Sequence, residues 1–61
     1  MSDKKAKFLK IYADIPDSLR DQIIAVLDEK TYTWNSIFFE VNNNTQLSEK
    51  LLNTLENIGI I

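Results

Sequence analysis

The chain contains neither cysteine nor histidine, and this absence restricts its fold more than any motif does. A domain of 61 residues buries only about 60% of the surface that its unfolded chain exposes, and its core rarely contributes more than roughly 3–5 kcal/mol to stability. Small chains usually add disulfides or a structural metal, but disulfides need cysteine and the strong zinc ligands are cysteine and histidine. Tight packing and self-association remain, so we expect one domain that forms a homodimer.

The same two absences argue against an enzyme. Histidine is the side chain that titrates near neutral pH without a large shift of its pKa, and none of the serines has a candidate base beside it. Asp17 and Asp21 would lie one turn apart at a helix start, where carboxylates usually interact with the helix dipole rather than with a cation. We therefore expect no catalytic, metal-binding or cofactor-binding residue, no cofactor and no small-molecule substrate.

The apolar runs in the sequence are short. The longest are Ile23 to Leu27 and Ile37 to Phe39, whereas about 18 consecutive apolar residues are needed to cross a bilayer. The N-terminus also lacks the apolar region of a signal peptide. These features predict a soluble, cytoplasmic protein that has no membrane partner.

Charge is distributed unevenly along the chain. Four lysines against one aspartate give the first ten residues a net charge of +3, so that residues 11–61 carry −5 of the total of −2. We expect residues 1–7 to form a basic, flexible arm and residues 8–61 to form the single domain. A basic arm on an acidic body is compatible with contact to nucleic acid through the arm.

Hydrophobic periodicity predicts a strand and then a helix in the first half. Apolar residues alternate from Phe8 to Ile15, which is typical of a half-buried strand. Pro16 suits the first turn of a helix, which we predict over residues 16–29. The run from Ile23 to Leu27 also fits a buried strand that turns at Asp28-Glu29, because periodicity alone does not separate these alternatives.

The C-terminal segment has clear signals of a helix. Thr45 is a good N-cap, and apolar residues follow at helical spacing. Gly59 is the only glycine, and it suits the left-handed position that ends a helix, with Ile60 folding back on Leu55. The apolar stripe consists of Leu47, Leu51, Leu52, Leu55 and Ile58.

The stretch TYTWNSIFFEVNNNT, residues 31–45, has two interpretations. Eight of the eleven residues 31–41 are β-branched or aromatic, which favours two strands joined by a bend at Asn35-Ser36. The resulting β-α-β-β-α order is a small α+β domain with two amphipathic helices on one face of a short sheet. It predicts a small non-enzymatic binding module with a protein partner. Alternatively, Thr33 is the N-cap of a helix that buries Ile37, Phe38 and Val41.

With that helix, the segment from Leu9 to Ser36 resembles the ribbon-helix-helix DNA-binding proteins of the Arc and MetJ type. An alternating strand passes through Ile15-Pro16 into a helix, and a short link leads to Thr33-Trp34-Asn35-Ser36, which is similar to the polar start of that family's second helix. The resemblance implies a dimer whose paired strands enter the major groove of duplex DNA.

The resemblance also implies which residues contact the DNA. It places Lys10, Tyr12 and Asp14 at the base edges, and it places the amides around Asn35 and Ser36 at a phosphate. The remaining phosphate contacts are expected from Lys4, Lys5 and Lys7. The alternative function is therefore a DNA-binding transcriptional regulator.

Overall fold

The computed structural model describes residues 3–61, which form an α+β fold of three helices and one β-hairpin. The elements are α1 (Asp3–Asp14), a 3₁₀ turn (Asp17–Leu19), β1 (Ile23–Leu27), β2 (Lys30–Thr33), α2 (Trp34–Asn42) and α3 (Gln46–Asn57). The α+β class is confirmed. The β-α-β-β-α order is wrong, because the chain starts with a helix and all three helices pack together beside a two-stranded sheet.

Residues 8–14 are helical, so the strand predicted from Phe8 to Ile15 is wrong. The same residues also carry a helical stripe, since Phe8, Ile11, Tyr12 and Ile15 follow the i, i+3, i+4, i+7 spacing. Phe8 is fully buried and the other three pack partly against the core, so burial of this stripe selects the helix. Residues 3–7, expected as an arm, are the first turns of α1. Residues 1 and 2 of the expected arm lie outside the described residues.

The helix predicted over residues 16–29 is also wrong. The competing strand with its turn at Asp28-Glu29 is correct, but the strand is only half-buried, because Ile23 and Val26 are exposed. Pro16 precedes only a single 3₁₀ turn, after which β1 runs from Ile23 to Leu27 and reverses at Asp28-Glu29. Asp28 and Glu29 have φ angles of 53° and 68°. Two left-handed residues in a two-residue loop are the signature of a type I′ turn, whose twist matches that of the strands.

The hairpin contains one irregularity, a bulge in β1. Ile23 pairs with Thr33 and Ala25 pairs with Tyr32, so that Ile24 is an extra residue on β1. Ile24 and Ala25 both pack against the core. Their neighbours Ile23 and Val26 therefore stay on the outside of the hairpin.

Of the two strands predicted over residues 31–41, the first is present and ends at Thr33, whereas the second is wrong, because α2 occupies its residues. The Thr33 side chain accepts a hydrogen bond from the Ser36 N–H at 3.1 Å, and the Ser36 hydroxyl accepts one from the Thr33 N–H at 2.8 Å. This capping box satisfies two backbone donors and starts the helix in spite of its β-branched and aromatic residues. Ile37 and Val41 are buried and Phe38 is partly buried, as the helical interpretation requires.

The C-terminal helix is confirmed at both ends. Thr45 caps α3 through the Ser48 N–H at 3.1 Å. At the other end Gly59 has a φ of 84°, and the Ile60 N–H donates to the Leu55 carbonyl at 2.9 Å. This is the Schellman arrangement. The stripe is buried at Leu51, Leu52 and Leu55, partly buried at Leu47 and largely exposed at Ile58.

One hydrophobic core holds the three helices and the hairpin together. Its aromatic part is a chain of stacked rings in which Phe8 lies 5.8 Å from Trp34 and 6.0 Å from Tyr12 between centroids. The buried members of the core are Phe8, Ala25, Trp34, Ile37, Val41, Leu51, Leu52 and Leu55. Within residues 3–61, no helix is long and apolar enough to span a bilayer.

Candidate binding surface

Lys4 and Lys5, two of the four lysines of α1, contact side chains that are distant in the sequence. Lys4 donates to the Asn53 side chain and lies 3.2 Å from the Glu56 carboxylate, and both partners belong to α3. Lys5 donates to the Asn44 side chain at 2.6 Å. The two ammonium groups thus connect α1 to α3 and to the loop before it, a structural task that the sequence does not reveal.

Lys7 and Lys10 are the exposed members of the predicted nucleic-acid residues. They are three positions apart on α1, and residues at this spacing lie on neighbouring parts of one helix surface. The helix α1, rather than a ribbon of paired strands, therefore positions Lys10.

Tyr12 is held inside a cluster of side chains. Its ring stacks on Phe38 at 4.3 Å between centroids, and the Arg20 guanidinium carbon lies 4.3 Å from the same ring centroid. The hydroxyl of Tyr12 donates to the Asn35 side chain at 2.8 Å. The aromatic face and the hydroxyl are both engaged, so Tyr12 connects α1 to α2 and to Arg20.

The first turn of α2 has little capacity left for an anion. The Asn35 N–H donates to the Arg20 carbonyl at 3.0 Å, and the Ser36 N–H donates to Thr33. The Asn35 amide group also donates to the Asp21 carboxylate at 2.8 Å. Both backbone N–H groups expected to bind a phosphate therefore already have partners in this structure, and a carboxylate lies beside them.

A cleft of about 510 Å³ lies between α1 and α3. Leu52 is its one apolar lining residue, and charged or amide side chains of both signs form the rest of its wall. Such a cleft offers little apolar surface to a ligand, whereas small-molecule sites are mostly apolar. The described residues also contain no group of three potential metal ligands.

The outer face of the hairpin carries exposed apolar side chains. Ile23 is 60% exposed and Val26 is 62% exposed, and the residue opposite Val26 on β2 is the exposed Thr31. We call these three residues the outer face. Helices cover the other side of the hairpin, and in the described part of the chain no helix or strand covers the outer face.

The free edge of β1 adjoins the outer face. A two-residue hairpin turn makes its flanking residues, Leu27 and Lys30, a hydrogen-bonded pair, and such pairs alternate along an antiparallel ladder. The Val26–Thr31 pair is then a non-hydrogen-bonded one, so the N–H and C=O of Val26 point away from β2. Within residues 3–61, the backbone of β1 forms hydrogen bonds with β2 alone.

No protein-family model, curated protein or solved structure matches this chain. The resemblance to the ribbon-helix-helix family therefore stays a prediction.

Acidic side chains flank β1 at both ends, and the cations Arg20 and Lys30 lie one residue farther out in the sequence. Asp21 precedes the strand and Asp28 and Glu29 follow it, all three are exposed, and residues 21–29 contain no lysine or arginine. The strand itself is the uncharged sequence IIAVL. The site thus combines an apolar centre, an open backbone edge and acidic ends, which together can hold an extended chain by backbone hydrogen bonds, apolar contact and charge.

Proposed function

We propose that this chain is a small non-enzymatic binding module that recognises a protein partner through the outer face and the β1 edge of its hairpin. The observation that carries the proposal is the uncharged strand β1, which combines two largely exposed apolar side chains with an unpaired backbone edge. Proteins usually block exposed edges with lysine, proline or inward-pointing charge, because an open edge pairs with other chains. Apart from the bulge at Ile24, β1 has none of these devices.

Size supports the same proposal. A two-stranded hairpin is at best marginally stable in isolation. A third strand at the edge of β1 would add hydrogen bonds and bury apolar area without displacing the helices. The homodimer expected from composition would use this surface if a second copy supplied that strand.

The test is a selection of displayed random peptides on the wild-type chain, with Val26→Lys used for counter-selection. We expect peptides that bind the wild type and lose binding to Val26→Lys. The matched control is Ile58→Lys. Ile58 is also a largely exposed apolar residue, but it is the C-cap of α3 and does not belong to the hairpin. If no peptide is enriched, or if both variants reduce binding equally, the outer face is not the binding surface.

A second candidate function is the binding of duplex DNA, and the arrangement of α2 and α3 favours it. The two helices are joined by the three residues 43–45, with Asn44 in the left-handed region at a φ of 52°. Two helices joined by so short a turn are typical of the helix-turn-helix motif, whose second helix enters the major groove. Exposed amide and lysine side chains on α3, including Gln46 and Lys50, suit base-edge contacts.

This candidate is tested by the salt dependence of duplex binding. If DNA is the ligand, Lys7→Ala and Lys10→Ala each weaken binding and reduce the slope of log K against log salt by about 1. Lys30→Ala, an exposed lysine on the hairpin, is the control. Deletion of residues 1–7 is unsuitable, since it would remove the first turns of α1 and the contact of Lys4 with α3. Absence of binding at low salt would exclude DNA.

A further inference from the structure

We infer that the segment bound by the hairpin is an extended peptide that pairs with β1 as a third strand and has an apolar middle flanked by lysine or arginine at both ends. This inference rests on the proposed function, because it names the chemistry of the partner at the same surface. It follows from the backbone geometry of β1, from the two side chains on its outer face and from the charges at its ends.

The backbone geometry favours an extended partner over a helix or a globular surface. The N–H and C=O of Val26 point outward along the free edge, and an added strand would satisfy both groups. Binding by strand addition takes its affinity from main-chain hydrogen bonds and its specificity from alternate side chains. The straight part of the edge is residues 25–27, because the bulge at Ile24 interrupts the ladder before it.

The outer face defines the middle of the peptide. Ile23 and Val26 expose most of their side-chain surface, and both lie beside the edge at which the peptide would pair. Side chains of a strand alternate between the two faces of a sheet, so every second side chain of the peptide would lie on this face. Apolar side chains at these positions remove apolar surface of β1 from water.

The acidic groups define the ends of the peptide. Asp21 lies before β1 and Asp28 and Glu29 lie after it, so the edge carries negative charge at both ends and no positive charge between them. Two cations adjoin these carboxylates in the sequence: Arg20 forms an ion pair with Asp17 at 2.6 Å, and Lys30 begins β2, which lies on the other side of β1 from this edge. Basic residues at both ends of the peptide would meet carboxylates in either strand direction.

The experiment uses four synthetic peptides and the full chain. The first peptide has two lysines at each end and alternating valine and threonine between them, and the second has glutamates in place of the lysines. The third and the fourth are the lysine peptide N-methylated at the odd or at the even residues, so that each lacks the donors on one of its two edges. Binding is measured by fluorescence anisotropy at low and at physiological salt.

We expect the lysine peptide to bind about tenfold more tightly than the glutamate peptide, which corresponds to a few surface charge pairs of modest strength. Placing the N-methyl groups on the edge that faces β1 should abolish binding, and placing them on the other edge should not. The double variant Asp28→Lys, Glu29→Lys should reverse the preference. Asp14→Lys, Glu49→Lys, which makes the same charge change at exposed residues elsewhere, should preserve it.

Four outcomes overturn the inference. The first is equal binding of the lysine and glutamate peptides, and the second is binding that survives N-methylation on both edges. The third is a dimer of the free chain that Val26→Lys dissociates, which would assign the edge to a second copy. The fourth is selection of peptides that depend on Val26 but lack basic ends, which leaves the proposed function standing. A fifth outcome, the absence of any peptide whose binding depends on Val26, refutes both this inference and the proposed function.

Discussion

The turn of the hairpin gives the sharpest prediction about stability. Glu29 has a φ of 68°, in the left-handed region that L-residues with a Cβ adopt at a cost of about 1–2 kcal/mol. Asp28 shares this region at 53°, but aspartate tolerates it better than glutamate does. We therefore expect Glu29→Gly to stabilise the chain, because glycine is the preferred second residue of a type I′ turn.

The expected gain is the difference between two terms. Relief of the left-handed conformation contributes about 1–2 kcal/mol, and the greater freedom of glycine in the unfolded chain removes roughly 0.5–1 kcal/mol. The free energy of unfolding should rise by about 0.5–1 kcal/mol. In a domain of this size, the melting temperature should rise by about 2–8 °C.

The assay is thermal and urea unfolding followed by circular dichroism, with Glu49→Gly as the matched control. Both changes remove one exposed carboxylate, but Glu49 lies in the first turn of α3, where a helical backbone gains nothing from glycine. The control should lose up to about 1 kcal/mol. If Glu29→Gly destabilises the chain as much as Glu49→Gly does, residues 27–30 do not form a type I′ turn.

Three further substitutions test the packing and the helix boundary. Thr33→Ala should lower the free energy of unfolding by about 0.5–2 kcal/mol in urea titrations, since it removes the N-cap of α2; Thr31→Ala, exposed on the same strand, should lower it less. Leu55→Ala empties a fully buried site and should cost about 2–5 kcal/mol, which leaves much of the chain unfolded at room temperature by circular dichroism. Tyr12→Phe removes the hydrogen bond to Asn35 and should cost about 0.5–1.5 kcal/mol while the ring stack persists in near-ultraviolet spectra. A loss below about 0.5 kcal/mol for Leu55→Ala would contradict the core as described.

The C-terminal helix could be predicted from the sequence because local signals there agree with each other. Thr45 supplies the cap, the leucines supply a helical stripe and Gly59 supplies the stop. The tight turn of the hairpin was also visible, as a strand over Ile23 to Leu27 that turns at Asp28-Glu29. It competed with a helix because a short apolar run fits both structures.

The N-terminal and central segments could not be predicted, because in each of them two patterns overlap. Residues 8–15 satisfy both alternation and helical spacing, and only the burial of Phe8 against Trp34 separates the two. In residues 31–41, propensity favours strand throughout, but the side chains of Thr33 and Ser36 cap a helix at the point where the strand ends. The binding surface could not be predicted either, because the edge of β1 exists only in the hairpin and the first prediction for residues 16–29 was a helix.

The contacts of the lysines could not be predicted from the sequence, because their partners are distant in it. Sequence spacing places Lys4, Lys5, Lys7 and Lys10 together, but it does not show that Lys4 and Lys5 are bound to side chains distant in the sequence. The buried part of Arg20 is equally invisible in the sequence: its guanidinium packs on Tyr12 and donates to the Tyr12 carbonyl at 3.0 Å. Such contacts are created by the tertiary arrangement of α1 and the 3₁₀ turn.

The most direct test of the proposed binding surface is the change in backbone amide signals when the lysine-flanked peptide is added to the full chain. We expect the largest shift changes in Ile23–Leu27, and we expect the Val26 N–H to become protected from exchange with solvent. Changes confined to α3, Gln46–Asn57, with β1 unaffected, would refute binding at the β1 edge and would assign it to the second helix of the α2–α3 pair.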